Sequence, residues 1–155
     1  MISIIKNNIF QLLLLFTWHQ MYEFRTIDRT KRSLIDLAEM VEITTGRNGT
    51  DFVPYGNWCG IGGSGKAIDA IDNCCRRHDI CYLDKIGKEC NSIFSLYVAN
   101  YKWSSEGGKV FCSMEDRNSC GRATCACDRE VVICLAKNIG EYREEHRYVR
   151  SALDT

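Results

Sequence analysis

One segment of the chain determines its architecture, and it reads Cys74-Cys75-Arg76-Arg77-His78-Asp79-Ile80-Cys81-Tyr82. Cys74 and Cys81 lie seven residues apart, about two turns of an α-helix, so they occupy one face. Cys127 and Cys134 repeat this spacing farther along the chain. If Cys74 pairs with Cys134 and Cys81 with Cys127, the two residue numbers of each pair sum to 208. Antiparallel helices require a constant sum, because an advance along one helix is a retreat along the other. The sequence therefore predicts two long helices, over residues 66–86 and 121–138, joined side by side by disulfides.

The same register brings acid–base side chains into the groove between the two helices. Residue 128 lies level with residue 80, so Asp128 falls between His78 and Tyr82, which are four apart and share a helix face. Asp79 borders that face. A histidine, two carboxylates and a tyrosine would then converge on two rigid elements, which is typical of a catalytic site. The alternative is that His78 is an ordinary surface residue of a helix.

Composition restricts the class of protein. The 155 residues suit one domain, and the formal net charge of zero gives no basic footprint for a nucleic-acid partner. All ten cysteines lie between positions 59 and 134, which predicts a disulfide framework formed in an oxidising compartment. A cytosolic zinc protein would need paired C-x-x-C knuckles, and the sequence has none.

The N-terminal region carries two processing signals. Lys6 precedes an apolar run over residues 9–16, which suits the core of a signal peptide and is too short to span a bilayer. We therefore expect a signal peptide over residues 1–21, with its end left open, followed by a pro-segment over 22–32. Lys31-Arg32 is either a dibasic cleavage site that releases Ser33 or a solvated charge run. The expected mature domain spans residues 33–155.

The remaining elements follow from periodicity and turn residues. Apolar side chains at three- and four-residue spacing predict a first helix over residues 33–44. Gly107-Gly108, flanked by aromatic and β-branched residues, predicts a small hairpin within 97–111. The charged tail from residue 141 to 155 is expected to be irregular. Asn48-Gly49-Thr50 is an acceptor sequence for N-glycosylation.

A glycine-rich loop precedes the first long helix. Residues 60–65 formally match the dinucleotide-binding pattern G-x-G-x-x-G, but that pattern needs a preceding strand, and a phosphate-binding loop would need Ser or Thr where Ala67 stands. Glycines instead allow backbone carbonyls to turn toward a hard cation such as calcium, which prefers oxygen ligands. Asp79 would supply the carboxylate, and a bond from Cys59 to Cys75 would fasten the loop to the helix.

Three spaced motifs together resemble those of the secreted phospholipases A2 of the pancreatic and venom type. The calcium loop of that family is similar to Tyr55-Gly56-Asn57-Trp58-Cys59-Gly60-Ile61-Gly62-Gly63. Its active-site signature is similar to residues 74–82, and the C-x-C-D of its second long helix to Cys125-Ala126-Cys127-Asp128. Many members have a cysteine where Asn57 stands and a glutamine where Asp36 stands.

The resemblance implies a mainly α-helical, disulfide-rich domain with two long antiparallel helices, an N-terminal helix, a calcium loop and a small β-hairpin. It implies His78 as the general base, oriented by Asp128, which Tyr82 and Tyr101 would hydrogen-bond. One calcium ion per chain would be held by Asp79 and by the carbonyls of Trp58, Gly60 and Gly62. The implied disulfides are Cys59–Cys75, Cys74–Cys134, Cys81–Cys127, Cys90–Cys120 and Cys112–Cys125.

The implied activity is that of a secreted, monomeric, calcium-dependent phospholipase A2. It would hydrolyse the sn-2 ester of glycerophospholipids, at a membrane surface, to a fatty acid and a lysophospholipid. A free imidazole, with a pKa of about 6.5, suits removal of a proton from water at neutral pH. The absence of a G-x-S-x-G motif argues against a serine lipase. The alternative is a related toxin or receptor ligand that acts by binding; the presence of both His78 and Asp79 favours the enzyme.

Contact with a lipid surface should involve apolar side chains around the mouth of the site. The candidates are Leu34, Ile35, Phe52, Val53 and Ile61. The alternative is that most of these side chains belong to the core.

Overall fold

The computed structural model describes residues 33–149 and consists mainly of helices. The helices are α1 (Ser33–Thr45), α2 (Ala70–Lys85), α3 (Ile93–Tyr97) and α4 (Ser119–Asn138), and the strands are β1 (Trp103–Glu106) and β2 (Lys109–Cys112). Short 3-10 turns span Gly49–Phe52, Ile139–Glu141 and Glu144–His146. The predicted fold class is confirmed. The expected signal peptide and pro-segment lie outside the described residues.

Helices α2 and α4 run antiparallel and are joined by two disulfides. Cys74 pairs with Cys134 and Cys81 with Cys127, with Cα–Cα distances of 5.7 and 5.8 Å. The other bonds are Cys59–Cys75, Cys90–Cys120 and Cys112–Cys125. Within residues 33–149 every cysteine is paired. The five pairs are those that the resemblance implies, and two of them are also the pairs that antiparallel helix register favours.

The predicted start of α2 at residue 66 is wrong, because the helix begins at Ala70. Asp69 has an extended backbone and acts as the N-cap, accepting a hydrogen bond from the Asp72 amide at 2.8 Å. Side-chain capping of this kind ends the preceding loop and satisfies an otherwise unpaired helix amide. Residues 66–69 therefore belong to the glycine-rich loop.

Helix α1 packs against α4 to form the main core. Met40 and Val41 are buried on α1, and Val132 and Leu135 are buried on α4. The 3-10 turn after α1 places Phe52 in this core, with 4% of its surface exposed. The expectation that Phe52 contacts lipid is therefore wrong, and the alternative assignment to the core applies to this residue.

The hairpin begins later than the predicted range of 97–111. It consists of strands β1 and β2 alone, and β1 starts at Trp103. Glu106 pairs with Lys109 around Gly107-Gly108, whose φ angles of +56° and +74° favour glycine. The upstream segment forms helix α3, which the sequence analysis missed. Ser92 caps that helix through a reciprocal hydrogen-bond pair with Ser95. No helix within the described part of the chain is long and apolar enough to cross a membrane.

The predicted irregular tail is more ordered than expected as far as residue 149. We call residues 142–148 the C-terminal strap. It contains the 3-10 turn Glu144–His146, and Tyr142 packs against the rings of Tyr55 and Phe52. Aromatic packing and backbone pairing hold the strap against the loop that precedes α2.

Candidate functional site

The centre of the site is a histidine–carboxylate pair between α2 and α4. Nε2 of His78 lies 2.8 Å from Oδ1 of Asp128. The Asp128 side chain is fully buried, whereas the His78 side chain is 12% exposed. A small crevice lined by Cys74, His78, Cys81 and residues of α4 adjoins the pair. The disulfides on either side keep the two helices at this spacing.

Two tyrosines complete the surroundings of Asp128. The hydroxyl of Tyr82 donates to Oδ1 at 2.6 Å, and the hydroxyl of Tyr101 donates to Oδ2 at 2.5 Å. Burial, together with the neighbouring charge of Asp128, raises the pKa of both phenols far above its ordinary value. Both tyrosines therefore remain protonated donors at physiological pH.

This arrangement determines how His78 can act. A carboxylate oxygen accepts hydrogen bonds, so the Nε2 atom that faces Asp128 carries the proton. The Nδ1 atom then carries a lone pair, and it is the nitrogen able to accept a proton from a water molecule. The ring of Tyr82, with its centroid 4.2 Å from that of His78, limits rotation of the imidazole. The geometry suits a general base.

The glycine-rich loop folds back on itself beside α2. Gly60 and Gly62 have φ angles of +114° and +79°, which few side-chain-bearing residues adopt. A Cβ atom on Gly63 would lie 2.7 Å from the Cα of Trp58, so this close approach requires glycine. The indole N–H of Trp58 donates to the carbonyl of Gly65 at 3.2 Å. The loop is thereby closed by its own contacts.

Asp72 fastens the loop to α2, and it is not among the site residues predicted from the sequence. This fully buried carboxylate accepts backbone N–H groups from Asn57, Trp58 and Ile68 at 3.0, 2.7 and 3.0 Å. Its spacing from Asp69 at the start of a helix was the available signal. That signal was obscured because the helix was predicted to begin at residue 66.

The oxygen donors that the loop and helix α2 offer are chemically suited to calcium. Within residues 33–149 no group of three or more His, Cys, Asp and Glu side chains lies close enough to hold a metal. A site here would depend on backbone carbonyls, such as those of Trp58, Gly60 and Gly62, together with the carboxylate of Asp79. Such oxygen donors match the preference of a hard cation. The disulfide between Cys59 and Cys75 joins the loop to the helix that carries Asp79.

The start of α1 also reaches the site. Ser33 is fully buried, and its Oγ lies 3.5 Å from the hydroxyl oxygen of Tyr82. Its amide donates to the carbonyl of Ala99 at 3.1 Å. Asp36 is buried and accepts the indole N–H of Trp103 at 3.0 Å. The first turn of α1 is therefore part of the wall of the site.

Four of the five apolar residues predicted to meet lipid are exposed. Their exposed fractions are 48% for Leu34, 57% for Ile35, 56% for Val53 and 77% for Ile61. Exposure of several large aliphatic side chains is consistent with an apolar contact surface. Asn48 and Thr50 are exposed as well, and N-glycosylation of Asn48 remains a prediction.

Comparison with known proteins identifies the family. A family model described as phospholipase A2 matches residues 34–147. The chain is 39% identical over 123 residues to a group IID secretory phospholipase A2 of Mus musculus, covering 79% of this chain and 82% of that protein. It is 36% identical over 121 residues to a membrane-associated phospholipase A2 of Cavia porcellus, covering 77% and 80%. It is also 36% identical over 121 residues to phospholipase A2 EC1 of Echis coloratus, covering 77% and 82%. The chain therefore belongs to the phospholipase A2 family.

Proposed function

We propose that this protein is a secreted, calcium-dependent phospholipase A2 that hydrolyses the sn-2 ester of glycerophospholipids. The observation that carries the proposal is the contact of 2.8 Å between Nε2 of His78 and Oδ1 of buried Asp128, which leaves Nδ1 as the basic nitrogen. Secretion is supported by relatives named as secretory enzymes and by the pairing of every described cysteine in a disulfide.

In the proposed reaction, Nδ1 of His78 accepts a proton as a water molecule attacks the ester carbonyl. Asp128 stabilises the resulting imidazolium and prevents its rotation, and the two tyrosines hold the carboxylate in place. The imidazolium then returns the proton to the leaving alkoxide, giving a lysophospholipid and a fatty acid. Calcium bound by Asp79 and the loop carbonyls would supply positive charge to the developing oxyanion.

The test compares wild type with His78→Gln on phospholipid vesicles, with and without calcium. Glutamine can still donate a hydrogen bond to Asp128, but its amide cannot accept a proton near neutral pH. We expect the variant to be folded and to bind calcium while losing ester hydrolysis by at least about a hundredfold. Wild-type hydrolysis should require calcium. Substantial turnover by the variant would contradict the role of His78.

A second proposal concerns maturation, and it places the mature N-terminus at Ser33. The Ser33 side chain, in the first described turn of helix α1, is fully buried beside Tyr82. Cleavage after Lys31-Arg32 would release the helix start that forms the wall of the site. Sequencing of the secreted protein should begin at Ser33. A fully active protein that begins upstream would argue against processing at this position.

A further inference from the structure

The C-terminal strap pairs with the base of the glycine-rich loop. The Gly56 amide donates to the carbonyl of His146 at 2.9 Å, and the Tyr148 amide donates to the carbonyl of Pro54 at 3.3 Å. Between them, Tyr55 and Arg147 form an antiparallel bridge. The strap therefore lies along residues 54–56 as a short strand partner, directly before the proposed calcium-binding residues begin.

Asp69 connects three separate segments at this point. Its Oδ2 atom accepts the hydroxyl of Tyr55 at 2.6 Å and lies 2.6 Å from Nδ1 of His146. Its Oδ1 atom accepts the amide of Asp72 in the first turn of α2. One carboxylate thus joins the base of the loop, the helix that carries Asp79, and the strap. The Asp69 side chain is 13% exposed, so water competes weakly for these contacts.

The ionised state of Asp69 makes His146 the donor in the contact between them. Burial alone would raise the pKa of Asp69, but hydrogen bonds from Asp72, Tyr55 and His146 hold it below its ordinary value. The carboxyl group is therefore ionised at neutral pH and can only accept. It follows that Nδ1 of His146 carries a hydrogen and forms a charge-assisted bond. The His146 ring also packs edge-on against Tyr55, with centroids 5.8 Å apart.

We propose that His146 is a positioning residue for the calcium site, and this inference rests on the proposed function. The proposed ligands lie on two segments, since the carbonyls of Trp58, Gly60 and Gly62 belong to the loop and Asp79 belongs to α2. Calcium affinity depends on how well these two segments are held in the binding geometry before calcium binds. The bond from His146 to Asp69 holds the base of the loop against the start of α2. The strap contains no cysteine, so it is held without a covalent bond.

Two substitutions separate the hydrogen bond from the packing of the ring. His146→Phe retains a ring against Tyr55 but removes the Nδ1 donor. His146→Asn loses the ring but places an amide donor near the position of Nδ1. The matched control is Glu145→Ala, which changes an exposed residue of the same strap. Each protein is tested as the full mature chain, with five disulfides verified by mass and with calcium binding measured by calorimetry.

We expect His146→Phe to weaken calcium binding about tenfold, as loss of one charge-assisted hydrogen bond allows. His146→Asn should restore most of the affinity, and Glu145→Ala should match wild type. Wild-type affinity in the phenylalanine variant would overturn the inference, as would failure of asparagine to restore binding. If wild type itself binds no calcium, the proposed function fails, and that result is distinct from loss in the variant alone.

A measurement on the wild-type protein tests the same coupling without any substitution. Coupling is reciprocal, so calcium that binds the loop must also stabilise the strap. Hydrogen exchange at Gly56 and at residues 146–148 should slow by about tenfold on addition of saturating calcium, although none of these residues is a proposed ligand. Unchanged exchange in the strap, with slower exchange in residues 58–62, would overturn the inference and leave the calcium site intact.

Discussion

The two carboxylate oxygens of Asp128 have unequal hydrogen-bond partners. Oδ1 is shared by His78 and Tyr82, whereas Tyr101 is the donor to Oδ2 within the described residues. Removal of the Tyr101 hydroxyl would leave a fully buried, charged oxygen without its donor. Removal of the Tyr82 hydroxyl would leave Oδ1 bonded to His78.

We therefore predict that Tyr101→Phe destabilises the protein more than Tyr82→Phe does. The expected loss in free energy of unfolding is about 2–3 kcal/mol for Tyr101→Phe and about 1 kcal/mol for Tyr82→Phe. Denaturant unfolding with the disulfides intact measures both values. Both variants should retain reduced hydrolysis, because Oδ1 still orients His78. An equal or larger loss for Tyr82→Phe would show that the two oxygens are not distinct.

Asp69 provides a prediction about pH, since its pKa is lowered in the folded protein. A lowered carboxyl pKa contributes stability that is fully present above the ordinary value of 3.8 and is lost as the pH falls through the folded value. Asp69→Asn should thus be less stable than wild type near about pH 7, and the difference should shrink near about pH 2.5. Thermal unfolding at the two pH values tests this. Asp84→Asn, at an exposed carboxylate, is the control and should change little.

At the scale of elements, two of the disulfides that end on α4 differ in what they position. Cys81 and Cys127 are the chain neighbours of Tyr82 and Asp128, so their bond fixes both residues of the site. The bond between Cys90 and Cys120 joins the segment before α3 to the start of α4. Their loop lengths are comparable, with sequence separations of 46 and 30 residues.

We predict that double alanine substitution at Cys81 and Cys127 lowers the rate of hydrolysis more than the same change at Cys90 and Cys120. Both variants should lose about 2–5 kcal/mol of stability, because each removes one cross-link from a small secreted domain. Initial rates on vesicles, taken well below each melting temperature, separate geometry from stability. Equal rate losses would mean that the bond beside the site acts only through overall stability.

The sequence predicted the helical framework because cysteine spacing is a discrete geometric constraint. Residues seven apart on two helices leave one antiparallel register, and if the disulfides follow that register, Asp128 lies beside His78. The first and last residues of the helices were predicted less well. The start of α2 depends on whether Asp69 or an earlier residue caps the helix, and local periodicity does not distinguish the two.

Contacts made by irregular backbone could not be predicted from the sequence. Asp72 accepts three amides, and all three come from a loop whose path depends on positive φ angles at several glycines. His146 reaches Asp69 across a sequence separation of 77 residues, from a segment that carries no periodic pattern. Phe52 was misassigned because an apolar residue beside a loop can face either the core or the solvent, and only the 3-10 turn decides this.

At the scale of the whole molecule, the exposed aliphatic residues suggest how the protein meets lipid. Residues 33–155 carry 15 basic and 18 acidic side chains, a net charge of −3, so attraction to anionic membranes should be weak. Apolar contact through Leu34, Ile35, Val53 and Ile61 should therefore drive adsorption, and binding should depend little on salt.

We predict that Ile61→Asp weakens binding to zwitterionic vesicles by about tenfold or more, because burial of one isoleucine side chain contributes about 1.5–3 kcal/mol. Met114→Asp is the control, since Met114 is 92% exposed but lies in the connection between β2 and α4. Vesicle sedimentation across a range of ionic strength measures both effects. Steep loss of wild-type binding with salt, or equal losses in the two variants, would contradict an apolar contact at the loop.

The two bonds between α2 and α4 also affect what happens after the protein is heated. With both disulfides intact, His78 and Asp128 remain tethered within a few residues of each other even when every helix has melted. The pair then re-forms by an intramolecular search over short segments, because most of the loop-closure entropy has already been lost. Thermal inactivation should consequently reverse on cooling under oxidising conditions and become permanent when a reductant is present.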